Sequence, residues 1–311
     1  MKITNGSETL ITIIAEKPSV ARDIAAIVGA SNRADGYLYG GGYAVTWAFG
    51  HLVQLAMPEE YGAVGFNREH LPIIPDSFKL VVRQVRDGKT YKSDSGAEKQ
   101  LKIIAKLFDE CDSIVVATDA GREGELIFRY IYNYLGCSKP FQRLWISSLT
   151  DSAIREGLES LKEGVDYDNL YQAARSRSEA DWLVGINASQ ALTLSAGGGV
   201  YSLGRVQTPT LKMICERYRE NKGFTPVSYY KVNVEVAGVV ATSSVRYDDP
   251  TVAEAKCRDL QQVGTLIVQS VEQKEVSENP PLLYDLTALQ KDANKRHGLT
   301  AQETLSIAQT L

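Results

Sequence analysis

An apolar run gives way abruptly to charge in residues 113–125, SIVVATDAGREGE. Asp119, Glu123 and Glu125 stand four and two residues apart, with Gly121 and Gly124 leaving room for a tight turn. Hard oxygen donors at this spacing suit Mg2+, which keeps several waters and takes one or two protein carboxylates. An ion held there can neutralise a phosphodiester while a neighbouring carboxylate handles a proton. A helix opening at this turn also favours negative charge in its first turn, so Glu123 and Glu125 have a purely structural reading as well. A second acid-tipped run favours chemistry. LITIIA at 10–15 leads into EKPS, which places Glu16 and Lys17 at its end, and a lysine beside a carboxylate suits a phosphate site.

The elements that must carry these residues follow from the apolar pattern. Residues 10–15 and 113–118 read as buried strands. Pro18 and Ser19 open a helix with Val20, Ile24, Ile27 and Val28 at helical spacing. Residues 37–53 read as strands parted by glycine turns. Residues 98–108 form an amphipathic helix, and 126–135 a helix closed by Gly136. This alternation predicts a mainly parallel sheet covered by helices, whose binding crevice lies outside the carboxyl ends of its strands. If the two acid-tipped strands are neighbours, their carboxylates share one rim.

Beyond residue 150 the pattern turns helical to about 222. Residues 228–270 alternate with period two and read as β-rich, and ENPP at 278–281 is a hinge-like break. A helix capped by Asp285 runs to Gly298, and another opens on the capping box Thr300–Glu303. That helix sets Leu305, Ala308 and Leu311 along one face and stops within a turn or two, so the chain is expected to be part of something longer.

Composition narrows the class. The 311 residues are 44% hydrophobic and 23% charged, which fits a soluble protein of two or three domains. No run approaches the roughly 18–20 apolar residues of a membrane span, and the N-terminus does not read as a signal peptide, so the expected compartment is the cytoplasm. Cys111, Cys137, Cys215 and Cys257 are scattered without a CxxC pair and read as buried free thiols rather than zinc ligands. A net charge of -4 gives no global reason for nucleic-acid binding, yet Tyr171–Lys222 holds seven basic residues against four acidic ones. The triple glycines at 40–42 and 197–199 lack the GK[ST] of a nucleotide loop and read as turns.

IIAEKPSVARDIA together with ATDAGREGELI resembles the two halves of a Toprim domain. TWAFGHLVQLAMPEEYG, LPIIP, RLWISSLTDSAI, ARSRSEADWLVGIN, SLGRVQTPTL and NPPLLYDLTALQKDAN follow in order along the chain. They extend the resemblance to the type IA DNA topoisomerases, topoisomerase III branch. The resemblance implies a Toprim domain over 1–155 and a helical single-stranded DNA-binding domain over 156–222. A β-rich arch segment over 223–280 and the start of the tyrosine-bearing domain over 281–311 complete the expected division.

The same resemblance implies roles. Glu16 matches the glutamate that serves proton transfer at the scissile phosphate, and Lys17 the lysine that steadies it. Asp119 and Glu123 match the first and third acids of a DxDxE metal motif whose middle position is Gly121 here. A weak, single Mg2+ site is therefore expected, with Glu16 or Glu125 as compensating ligands. Arg177, Ser202, Arg205 and Gln207 match the segments that grip single-stranded DNA, and Asp181 is expected to orient Arg177. Arg143 reads as a phosphate contact or a solvated edge residue, and His51 as a backbone-bonded core histidine or a contact near the strand. Trp182 sits at helical spacing with Leu183 and Ile186 and fits the core better than a base-stacking platform.

None of the sixteen tyrosines lies in the TYxRTDS-like context of the family's nucleophile. The parent activity implied is Mg2+-dependent, ATP-independent cleavage, strand passage and religation through a 5′-phosphotyrosine. The chain by itself is expected to be a monomer that binds single-stranded DNA and Mg2+ and relaxes nothing, with a helicase as a candidate partner in the nucleoid. A Toprim nuclease or primase, or a non-catalytic DNA-binding protein, are the rival readings.

Overall fold

The computed structural model describes residues 10–88 and 90–310. The reading of the first residues as leaderless and the place of Leu311 on the last helix lie outside them. The chain divides into two units, Met1–Phe224 and Thr225–Leu311.

In the first unit, seven strands form one sheet. Four central strands are parallel: β1 (Ile11–Ala15), β4 (Tyr43–Trp47), β9 (Ser113–Ala117) and β10 (Phe141–Arg143). Antiparallel strands close both edges, β2 (Asn32–Ala34) and β3 (Tyr37–Gly40) beyond β4, and β11 (Lys162–Glu163) beyond β10. Two hairpin-like pairs stand apart from the sheet, β5 (Val53–Leu55) with β6 (Leu80–Val82) and β7 (Gln84–Asp87) with β8 (Thr90–Ser93).

The parallel strands are apolar on both faces because helices cover both sides. Ile13, Ala15, Val45, Val115 and Ala117 pack with α1 (Pro18–Val28) and α4 (Asp151–Glu159). Ile14, Ile114 and Val116 pack on the other side with α2 (Ser95–Glu110), α3 (Arg122–Tyr134) and α5 (Asp168–Ala196). The expected strands and helices are present, and α3 begins at Arg122, a turn earlier than apolar spacing alone indicates.

Helix α5 has 29 residues and spans about 43 Å at 1.5 Å per residue. It is pinned at several points. Arg129 bonds Asp168 at 2.6 Å, Trp182 Nε1 donates to the Ala56 carbonyl at 2.9 Å, and Arg68 reaches the Leu194 carbonyl at 3.3 Å. Asn187 clamps the backbone of Ile73 in both directions, at 2.6 and 2.9 Å. Helix α6 (Gln207–Lys222) completes this unit, with its residues exposed.

The second unit holds a hairpin of β12 (Asn233–Val236) and β13 (Val239–Thr242), then α7 (Pro250–Val263), α8 (Leu286–His297) and α9 (Ala301–Thr310). Two sequence expectations are corrected here. Residues 250–263 are helical, opened by the Asp249 cap and Pro250 at the first position. Residues 264–285 form no regular element, although GTLIVQSV alternates as a strand does. Alternation specifies a face, but a strand also needs a hydrogen-bonding neighbour, and Ile267, Val268 and Val271 are 77–87% exposed. The two caps read from sequence are in place. Asp285 accepts from the Ala288 N–H at 2.6 Å, and Thr300 and Glu303 form the reciprocal box at 2.7 and 3.2 Å. All four cysteines are unpaired, but Cys111 is buried whereas Cys215 is exposed.

Candidate active site

Strand register builds the site. β1 lies between β4 and β9, and its pairing with β9 runs in step from Ile11–Ser113 to Ala15–Ala117. The residues that follow, Glu16 and Lys17 on one side and Thr118 and Asp119 on the other, therefore emerge together at the carboxyl rim. The Asp119 N–H donates to Glu16 Oε2 at 3.3 Å, and Lys17 Nζ lies 3.3 Å from Asp119 Oδ2. Helix α3 brings Glu123 to the same rim, where Oε1 meets His51 Nε2 at 2.5 Å.

The turn between β9 and α3 is compact for a definable reason. Thr118 Oγ1 donates to the Gly124 carbonyl at 2.7 Å, and a Cβ at Gly124 would lie 2.1 Å from the Asp119 carbonyl oxygen. A side chain there is excluded by backbone. Gly121 caps the helix in extended geometry, with nothing within 4 Å of where a Cβ would stand.

The electrostatics separate the acids. Burial first, and the Asp119 carboxylate second, raise Glu16 above the ordinary carboxylate range. Asp119 and Glu123 are open to solvent, with 56% and 68% of their side chains exposed. Solvated oxygen donors leave room for the waters a magnesium ion retains, so this donor set fits such an ion loosely held. Among the described residues, no group of three or more histidines, cysteines and acids is arranged as a ready-made metal cage.

Glu125 and Arg143 depart from expectation. Glu125 is fully buried, with Oε1 accepting from Arg129 Nε at 2.8 Å and Oε2 lying 3.1 Å from Arg143 Nε. A carboxylate sealed between two guanidiniums is not a ligand for a hydrated ion, which removes Glu125 from the expected set. Arg143 is likewise fully buried and donates to the carbonyls of Val116, Thr118 and Asp119 at 2.8–2.9 Å. Its fork is spent on backbone, so it is neither a phosphate contact nor a solvated edge residue. His51 departs from the core reading, because its side chain is one-third exposed and its partner is Glu123 rather than backbone, a rim position compatible with the second reading, a contact near the strand.

The basic segment makes a second cluster. Asp181 accepts from Arg205 Nε at 2.5 Å, and Arg177 Nε lies 3.8 Å from its other oxygen. Asp181 thus holds Arg205 more closely than Arg177, and the Arg205 bond keeps it below the usual carboxylate range. The loop carrying Ser202 and Arg205 is laced to α5, with Ser189 bonding both backbone groups of Leu203 and Thr193 those of Tyr201. Ser202 Oγ lies 3.4 Å from Gln207 Oε1, so exposed Ser202, Arg205 and Gln207 share one surface. Trp182 belongs to the core, 9% exposed and edge-on to Tyr61 and Phe78.

Sequence reasoning missed Arg129 and Tyr130. The four-residue step from Glu125 to Arg129 was a legible ion-pair signal. Tyr130, buried with its ring 6.5 Å from that of His51, carried no signal beyond helical spacing.

Comparison with known proteins adds an independent line. Residues 11–149 match the family described as Toprim domain, and residues 165–311 the one described as DNA topoisomerase. DNA topoisomerase 3 of Bacillus subtilis is 45% identical over 96% of this chain, and that of Bacillus licheniformis is equally similar. The chain spans 41% of the length of these relatives. The solved full-length topoisomerase I of Thermotoga maritima shares the fold, with a TM-score of 0.61 at 24% identity over 96% of this chain and 45% of that one.

Proposed function

We propose, from the matches to the Toprim domain and the DNA topoisomerase family and the similarity to DNA topoisomerase 3, that the chain is part of a type IA DNA topoisomerase whose sheet rim assists cleavage of single-stranded DNA by a tyrosine in the complete protein. The observation that carries this is the in-step pairing of β1 with β9, which joins Glu16 and Lys17 to Asp119 with Glu123 beside them. In the reaction proposed, a tyrosine hydroxyl releases its proton to solvent as its oxygen attacks phosphorus, the bond from phosphorus to the 3′ oxygen breaks, and that oxygen must gain a proton. Glu16 holds a proton more firmly than an ordinary carboxylate and is placed to donate it. Lys17, released from Asp119, pairs with a phosphate oxygen. Asp119 and Glu123 would hold Mg2+, with Glu16 at its side, and the ion would supply neutralising charge at the phosphodiester. The bond energy is retained in the phosphotyrosine, so religation needs no ATP.

Arg177, Arg205, Ser202 and Gln207 are proposed to hold the strand, and Asp181 to orient the two arginines. The proposed division keeps 1–155 as the Toprim domain, 156–222 as the DNA-gripping domain, and 223–280 and 281–311 as parts of two further domains. The complete protein is proposed to work in the bacterial cytoplasm.

Tyr284 is unsuited to the nucleophile's part. It lies in LLYDLT rather than in a TYxRTDS-like context, and its hydroxyl is occupied in donating to Asp292 at 2.5 Å. The test uses the chain as it stands. A labelled single-stranded oligonucleotide should bind, read by fluorescence anisotropy, while supercoiled plasmid with Mg2+ stays unrelaxed. Robust relaxation, or a covalent adduct on Tyr284, would overturn the reading. Nicking without religation would favour a nuclease.

A further inference from the structure

Arg143 and Glu125 are among the most enclosed charged side chains in the protein, and neither reaches the rim itself. What they touch is the scaffold of the two rim acids. Arg143, the last residue of β10, bonds three carbonyls at the end of β9, including that of Asp119. Past the strand end the Thr118 and Asp119 carbonyls leave the ladder, whereas the Val116 carbonyl also accepts from the Leu144 N–H at 2.9 Å, and a planar guanidinium can serve all three at once. Glu125 lies two residues beyond Glu123, in the first turn of α3, and its carboxylate faces the same guanidinium at 3.1 Å. One side chain therefore ties the backbone of Asp119 to the helix turn that carries Glu123.

The charges also matter in kind. An arginine fixed this close to Asp119 would repel a cation at the rim if its charge were uncompensated. Glu125 lies between it and Arg129, and Asp168 pairs with Arg129, so the two cations and two carboxylates balance inside the protein, where charge is poorly screened. We propose that Arg143 and Glu125 form a neutral clamp that sets Asp119 against Glu123, acting as positioning residues for a divalent cation at the rim. This rests on the reading of the rim as a cation site. The clamp explains why a loosely built site, with exposed ligands and no cage, can hold a defined ligand separation: rigidity comes from behind the acids.

The test measures Mn2+ uptake by electron paramagnetic resonance on the whole chain, with thermal unfolding of each variant recorded alongside. Arg143→Lys keeps the charge but puts three donors on one atom in place of the planar five-donor fork, too few for the three carbonyls and the Glu125 carboxylate together. Glu125→Gln keeps the shape but leaves the arginine's charge uncompensated. Both should weaken Mn2+ binding about tenfold or more, the range for residues that orient metal ligands. Trp182→Phe, a core change remote from the rim, should lower the unfolding midpoint and leave Mn2+ affinity unchanged. Should Glu125→Gln fail to fold, Arg143→Lys decides. A folded Arg143→Lys protein with wild-type affinity overturns the clamp. If the wild-type chain itself takes up no Mn2+, the rim reading falls and the clamp with it.

Discussion

At the residue scale, the two glycines of the TDAGREGE turn do different things. Gly124 is required by contact, since any Cβ would meet the Asp119 backbone. Gly124→Ala should cost about 1–3 kcal/mol or more through overpacking against a carbonyl that cannot yield, measured by denaturant unfolding. Gly121 is not required in this sense, because its backbone is extended and its surroundings are open. Gly121→Asp should fold with equal or slightly greater stability, since aspartate is a better helix cap than glycine. It should also bind Mg2+ more tightly by calorimetry, through one more carboxylate at the rim. Unchanged affinity in a folded Gly121→Asp protein would mean that position 121 does not face the ion.

The same scale shows what was legible beforehand. Glu16 and Asp119 could be picked out because acids at the ends of apolar runs have few structural reasons to be there, while Lys17 followed from its neighbour and Glu123 shared a helix-dipole reading with Glu125. Glu125 could not be sorted from Glu123, because two residues along a helix turn the side chain by roughly 200° and the sequence does not say which face is inward. Arg143 looked like a surface residue because a lone arginine in FQRLW names no partner. Its partners are main-chain carbonyls on a strand 25 or so residues away, and backbone has no sequence signature.

At the element scale, the helices and parallel strands were readable because both are set by local periodicity. The segment 264–285 was not, because pairing is a property of two segments and alternation describes one. Helix α5 lies between these cases. Its length and caps are local, yet its placement depends on partners more than a hundred residues away, Ala56 and Ile73 among them. Trp182 is the central anchor. Trp182→Ala should lower stability by about 3–5 kcal/mol, as large-to-small core changes do, measured by chemical denaturation. Trp182→Phe should lose far less and leave oligonucleotide affinity at the wild-type level. A large drop in affinity with Phe in place would return the indole to the DNA surface.

At the scale of the whole molecule, stability is unevenly spread. The first unit concentrates its buried residues around the sheet, whereas the second exposes most of its apolar side chains, Leu282 and Leu283 at 94% and 98% among them. Limited proteolysis should therefore cut first within residues 264–285, where exposed backbone lacks regular hydrogen bonding, and release a resistant product containing the sheet. Early cleavage within α5 instead would show that its anchors are weaker than their geometry.

Two acids of the rim, Glu16 and Asp119, come from positions 103 apart in the chain and meet because two strands pair in register. In the unfolded polypeptide they are strangers, with no shared affinity for an ion. A cation that Glu16 shares with Asp119 is thus a ligand of the native state alone, and mass action makes it a stabiliser whose effect grows with its concentration. The melting temperature becomes a gauge of occupancy, and the ion a witness that β1 and β9 have found each other.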